Sequence, residues 1–111
     1  MGAAARRAYA AGMKILCLDR PLPGATREKV LPLIRDEARH AWEAYKKGVI
    51  REIYFRQDRP GVAIFLECES AAEALRALAE LPLVKAGLIE FEAIPLGPFV
   101  NFEVLFADAA R

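Results

Sequence analysis

The chain has 111 residues, 55% of them hydrophobic and 28% charged, with a formal net charge of +1. That is enough for one domain around a single core, and too apolar for a disordered segment. Sixteen basic against fifteen acidic residues leave no global field for nucleic acid, and no window approaches the ~20 uncharged apolar residues that cross a bilayer.

Residues 1–12 are rich in Ala and Arg and lack the apolar stretch of a secretory signal, so they read as a leader or extension ahead of Met13. Residues 14–18 form a short apolar run closed by Asp19-Arg20-Pro21-Leu22-Pro23-Gly24, a strand followed by a turn. From Thr26 a long segment carries Val30, Leu31, Ile34, Ala38, Ala41, Trp42 and Tyr45 at helical spacing. Pro32 falls near its start, and Lys46, Lys47 and Gly48 close it with cations at the negative end of the dipole. Trp42 and Tyr45 are expected in the core on that spacing.

Residues 49–57 are rich in β-branched and aromatic side chains, Asp58-Arg59-Pro60-Gly61 makes a hairpin turn, and residues 62–69 run apolar again. Ser70 with Glu73 three positions on marks a helix start, and the helix runs over residues 71–80. Leu81-Pro82 ends it, Gly87 permits a turn, and residues 88–96 form a last strand before Pro98. The order β-α-β-β-α-β predicts an α+β ferredoxin-like plait over residues 13–98: a four-stranded antiparallel sheet with both helices on one face. Residues 99–111 form a Phe-rich tail, expected to pack on the domain or on a partner subunit.

Alternation along the strands divides the sheet into two faces. Val62, Ile64, Leu66 and Cys68 belong under the helices, with Ile53, Phe55, Phe91 and Ala93. The open face then interleaves Phe65, Tyr54, Ile50 and Ile94 with Arg56, Glu52, Glu67, Glu90 and Glu92. Two copies packed face to face would bury the apolar members and leave the polar ones lining a shared cavity. A homodimer or larger homo-oligomer is the expectation, without nucleic acid or membrane.

Cys17 and Cys68, without a spacing motif, read as buried free thiols in a reducing cytoplasm. His40 is the sole histidine and cannot form a multi-His metal site; it reads as a helix-flank residue, or more sharply as a proton shuttle at the barrel mouth. Ser70 is the only serine and explains a cap rather than a triad. No glycine-rich phosphate loop is present, and metal, nucleotide and flavin sites all lack residues to hold them, so no cofactor is expected.

Gly48 and Arg51 after the long helix, Glu69-Ser70 with Glu73, Leu81-Pro82-Leu83, and the closing Glu90-x-Glu92-x-x-Pro95-Leu96 form one further pattern. The region of residues 48–96 thereby resembles the muconolactone isomerase-like families of dimeric α/β-barrel proteins. Those isomerases continue from Pro-Leu into His-Pro-Ser, where this chain has Gly97-Pro98-Phe99, and this chain carries two extra residues near Ala86-Gly87. The resemblance implies a dimeric α/β barrel among cofactor-free isomerases, polyketide cyclases, small oxygenases, dehalogenase-like proteins and members without assigned function.

The residues suit proton abstraction next to a carbonyl, isomerising or cyclising a lactone or other oxygenated ring. Glu92 or Glu67 is the expected base, with crowding among Glu67, Glu90 and Glu92 raising one carboxyl. Arg56 and Tyr54 would stabilise the enolate oxygen, and Phe65, Ile50 and Ile94 would contact a small aromatic or lactone-like ligand. The plainer reading of the same residues is an interface salt-bridge network, with Glu90 solvated at the barrel rim, and the alternative function is a non-catalytic, oligomeric small-ligand-binding protein. The discriminating feature is whether Tyr54, Arg56, Glu67 and Glu92 converge on an open cavity or pair off and fill it, and an open cavity would favour ligand binding.

Overall fold

A computed structural model describes residues 12–107. The expected leader therefore lies almost wholly outside the described residues, as do the last four positions of the tail. Strand β1 runs Met13–Pro21. The helical segment follows as α1 (Arg27–Val30), a 3-10 turn (Leu31–Leu33) and α2 (Ile34–Lys46). Then come β2 (Ile50–Phe55), β3 (Val62–Cys68), α3 (Ala71–Leu78), α4 (Pro82–Lys85) and β4 (Ile89–Leu96). The tail forms a second 3-10 turn (Val100–Glu103) and α5 (Val104–Ala107).

The four strands lie in the order β2-β3-β1-β4 and every pairing is antiparallel. Ile15, Cys17, Ile64 and Leu66 of the sheet pack with Ala74 and Leu78 of α3, while Ala41 and Ala44 of α2 adjoin the same cluster. Both helices thus cover one face, an α+β arrangement consistent with the ferredoxin-like plait. No described helix is long and apolar enough to cross a membrane.

Local chemistry accounts for the element ends. The Ser70 hydroxyl accepts from the Glu73 N–H at 3.1 Å, while the Glu73 carboxylate accepts from the Glu69 N–H at 3.1 Å. At the end of α2 the Gly48 N–H donates to the Tyr45 carbonyl and the Val49 N–H to the Ala44 carbonyl, both at 3.0 Å. That pair of bonds is a Schellman closure, and Gly48 takes the left-handed φ of +82° that it requires. Pro32 lacks an N–H and breaks the expected continuous helix into α1 and α2 through a 3-10 turn.

Three placements differ from the sequence reading. β1 continues three residues past Leu18, because Asp19, Arg20 and Pro21 still pair with Phe91, Glu90 and Ile89 of β4. Ile50 is not on the open face: it is 2% exposed and pairs with Leu66 beneath the helices. A bulge between Ile50 and Glu52 adds a residue to β2, so the strict period of two fails there. Leu88, which strand alternation sets on the same side as Glu90, Glu92 and Ile94, is instead buried with Leu83 and Ile89 in a second small core cluster.

Candidate functional site: an apolar cleft under the long helix

A well-formed apolar concavity lies away from the open face of the sheet. It is a cleft of about 670 Å³ between α2 and the helix-covered side of β1, β2 and β3. Its origin lies in the side chains of α2. Helix α2 meets the core through Ala41 and Ala44, which are too short to fill the space down to β2. Trp42 and Tyr45, expected in the core, instead stand 56% and 48% exposed along the cleft, their rings stacked at 5.7 Å. Ile53 and Phe55 of β2 face them across the opening. Phe91, Leu83, Ile64 and Val62 line it further in.

Two carboxylates project into these apolar surroundings, Asp19 from β1 and Glu37 from α2. Asp19 is 9% exposed, and its Oδ1 accepts from the Val62 N–H at 2.8 Å. Gly61 allows this approach, since a Cβ there would stand 2.7 Å from the same oxygen. Glu37 Oε1 accepts from the Leu83 N–H at 2.9 Å, satisfying a donor at the start of α4 that has no partner within that helix. Burial pushes the Glu37 carboxyl up from its ordinary value; the Leu83 hydrogen bond and His40 oppose that rise, and the charge of Asp19 adds to it. A carboxyl raised in this way exchanges protons nearer neutrality, where a general base or acid works best. Tyr45 carries a hydroxyl along the same cleft.

The residues expected to form the site do not converge. Glu67 on β3 and Glu92 on β4 are separated by β1, and they pair with Lys14 and Leu18, four residues apart along it. At ~3.3 Å per residue that offset alone is about 13 Å, so no crowding of carboxylates arises. Glu67 instead lies 4.0 Å from Arg51. The Tyr54 hydroxyl donates to Glu52 at 2.6 Å, and this hydrogen bond pushes the phenol's pKa up. Arg56 donates to both carboxylate oxygens of Asp58, at 2.9 and 2.6 Å, which holds the Asp58 carboxyl down at about 2.

Glu92 and Arg56 do share a smaller pocket of about 380 Å³ with Arg20 and Arg59. Its arginines are already engaged: Arg20 with Glu90, Arg56 with Asp58, and Arg59 with the carbonyls of Asp19 and Pro60. Phe65 and Ile94 flank Leu16 on the open face, where Lys14 lies over the Phe65 ring at 5.7 Å. His40 is exposed on α2, and its Nδ1 donates to the Asp36 carbonyl at 2.9 Å. Among the described residues no cluster of His, Cys, Asp and Glu has the arrangement of a metal site.

Asp19 and Glu37 were the residues missed. Both interrupt an apolar pattern: Asp19 continues the alternation of Ile15 and Cys17, and Glu37 lies between Ile34 and Ala41 on the apolar stripe of α2 that faces the cleft. A charged residue on a face otherwise given to the core was the available signal. No family model matches the chain, and no characterised protein matches it in sequence.

Proposed function

We propose that the chain is a cofactor-independent enzyme of small-molecule chemistry, acting in the cleft beneath α2 rather than on the open face. In this reading an apolar, oxygenated ring compound such as a lactone lies between α2 and the sheet. Glu37 removes a proton from the carbon next to its carbonyl and returns it at another carbon, an isomerisation with no net loss of atoms. Tyr45 donates to the enolate oxygen, since the Tyr54 hydroxyl is held by Glu52. The observation that carries the reading is a half-buried carboxyl, its pKa raised by burial, in a cleft whose other walls are almost wholly apolar. It agrees in reaction class with the muconolactone isomerase-like resemblance.

We read the protein as a cytoplasmic homodimer or larger homo-oligomer. The free, buried Cys17 and Cys68 support a reducing compartment. Large apolar side chains left exposed along the cleft and the tail support self-association. A second reading, a non-catalytic binder of a small apolar ligand, is favoured by one observation: both cleft carboxylates already accept from backbone N–H groups. A panel of ring ketones and lactones, incubated with the protein in D2O and followed by proton NMR, separates the two. The enzyme exchanges an α-proton of at least one compound, and Glu37→Gln slows it by about 10²–10⁴-fold. Binding without exchange across the panel replaces the enzyme with the binder.

A further inference from the structure

The exposed large apolar side chains fall mainly into two groups. One is the mouth of the cleft, where Trp42, Tyr45 and Phe55 stand open. The other is the tail, where Phe99, Val100, Phe102, Val104, Leu105 and Phe106 are all between 59% and 72% exposed. The described residues measure 64 × 36 × 20 Å with a radius of gyration of 17.4 Å, against about 12–13 Å for a compact chain of this length. The tail's contacts are chiefly internal, with Phe99 and Phe102 meeting edge to face at 5.0 Å.

We propose that residues 99–107 of one copy cover the mouth of the cleft in a second copy, and the reverse, so that the site is closed only in the homodimer. This deepens the cleft reading and rests on it.

The tail does not occupy its own chain's cleft: none of residues 99–107 lines it, and their large apolar side chains stand exposed. The tail leaves β4 at Leu96, opposite Lys14, whereas the cleft mouth lies along β2, three strands across the sheet and five residues further along β1, towards Asp19. That separation is roughly 20 Å, while the segment in helical form spans only about 13 Å. A second copy can take up the segment in the shape it already has.

Area favours the same occupant. Six side chains of this kind, about two-thirds exposed, offer roughly 600 Å² of apolar surface, or about 1,200 Å² counting both sides of one contact. One contact reaches the lower limit of a stable interface, and the reciprocal pair exceeds it. Reciprocity also closes the assembly as a twofold dimer, where a one-way contact would grow into a filament. The tail covers Trp42, Tyr45 and Phe55 at the mouth and leaves Glu37 and Asp19 free in the interior for a ligand.

Trp42 is the only tryptophan in the chain and reports on the contact directly. Sedimentation velocity and iodide quenching of Trp42 emission, measured over a dilution series on the full chain, test the proposal. The expected result is a dimer whose Trp42 becomes severalfold more quenchable as dilution dissociates it. Phe102→Asp/Leu105→Asp, at exposed positions, gives a folded monomer with Trp42 quenchable at every concentration. Phe55→Asp is also a monomer, and mixing the two variants restores a heterodimer through one intact tail and one intact mouth. A wild-type monomer, a tail variant that remains dimeric, a dimer with Trp42 freely quenched, or a mixture that stays monomeric each overturns the proposal. The D2O exchange assay on the monomeric tail variant reports separately on the Glu37 reading.

Discussion

Replacing Gly61 by alanine tests the geometry that holds a carboxylate in the cleft. Gly61 adopts φ +145°, which L side chains rarely take, and an added Cβ would meet Asp19 Oδ1 at 2.7 Å and Arg59 Nη1 at 3.3 Å. The backbone strain is worth about 1–3 kcal/mol. Asp19 must also withdraw from the Val62 N–H, and an unsatisfied, part-buried donor costs about 1–3 kcal/mol more. Alanine returns roughly 0.4–1 kcal/mol by restricting the unfolded chain, leaving a net loss of about 1–5.5 kcal/mol. Urea unfolding followed by circular dichroism reads this as a midpoint lowered by roughly 0.5–3 M with an unchanged slope. Gly97→Ala, where a Cβ meets nothing within 4 Å, is the control and stays within about 0.5 kcal/mol. Removing the opposing carboxylate first, as Asp19→Ala, relieves the clash, so Gly61→Ala costs at least ~1 kcal/mol less in that background. A Gly61→Ala loss no greater than the control, or full additivity with Asp19→Ala, would show that Gly61 does not hold Asp19 in place.

Ile50→Ala loses about 2–5 kcal/mol, since Ile50 lies in the core; a loss within ~0.5 kcal/mol in the same urea assay would return it to the open face. Cys17 is fully buried, with its thiol pushed up to about 11 mainly by that burial, and Cys68 is raised likewise. Ellman's reagent at pH 8 therefore labels neither thiol until denaturant is added, and then both; rapid labelling of the native chain contradicts that burial. Glu37 binds its proton more tightly folded than unfolded, so its contribution is most favourable below its ordinary value of 4.5 and is lost as pH rises through the higher folded value. Glu37→Gln keeps an acceptor for the Leu83 N–H and removes that penalty. Its midpoint exceeds wild type at pH 7, with the gap closing below about pH 4; a gap that widens in acid reverses the sign.

The fold was legible because its signals are local. Ser70 with Glu73 set one helix start, Gly48 closed the long helix, and the alternation of Val62, Ile64, Leu66 and Cys68 oriented β3 correctly. β2 failed at one point, because a bulge leaves no mark in composition and Ile50 is as apolar as a neighbour on either face. The site was less legible. Helical spacing places Trp42 and Tyr45 on the inward stripe of α2 but does not say how far the sheet lies beneath them, and here a cleft intervenes. The open-face acids and bases were identified individually, yet each found its partner nearby: Glu52 for Tyr54, Asp58 for Arg56 and Arg51 for Glu67. Such pairing depends on rotamers and register, which spacing alone does not encode.

The most direct test of the cleft is a nitrogen–proton correlation NMR titration with coumarin, a flat ring lactone. The Leu83 amide donates to Glu37 and the Trp42 indole stands at the mouth, so both report on the cleft. The Leu83, Val62 and Trp42 signals are expected to move together with one affinity, while Phe65, Ile94 and Glu92 stay still. Shifts confined to Phe65, Ile94 and Glu92 would return the site to the open face and rule out the cleft.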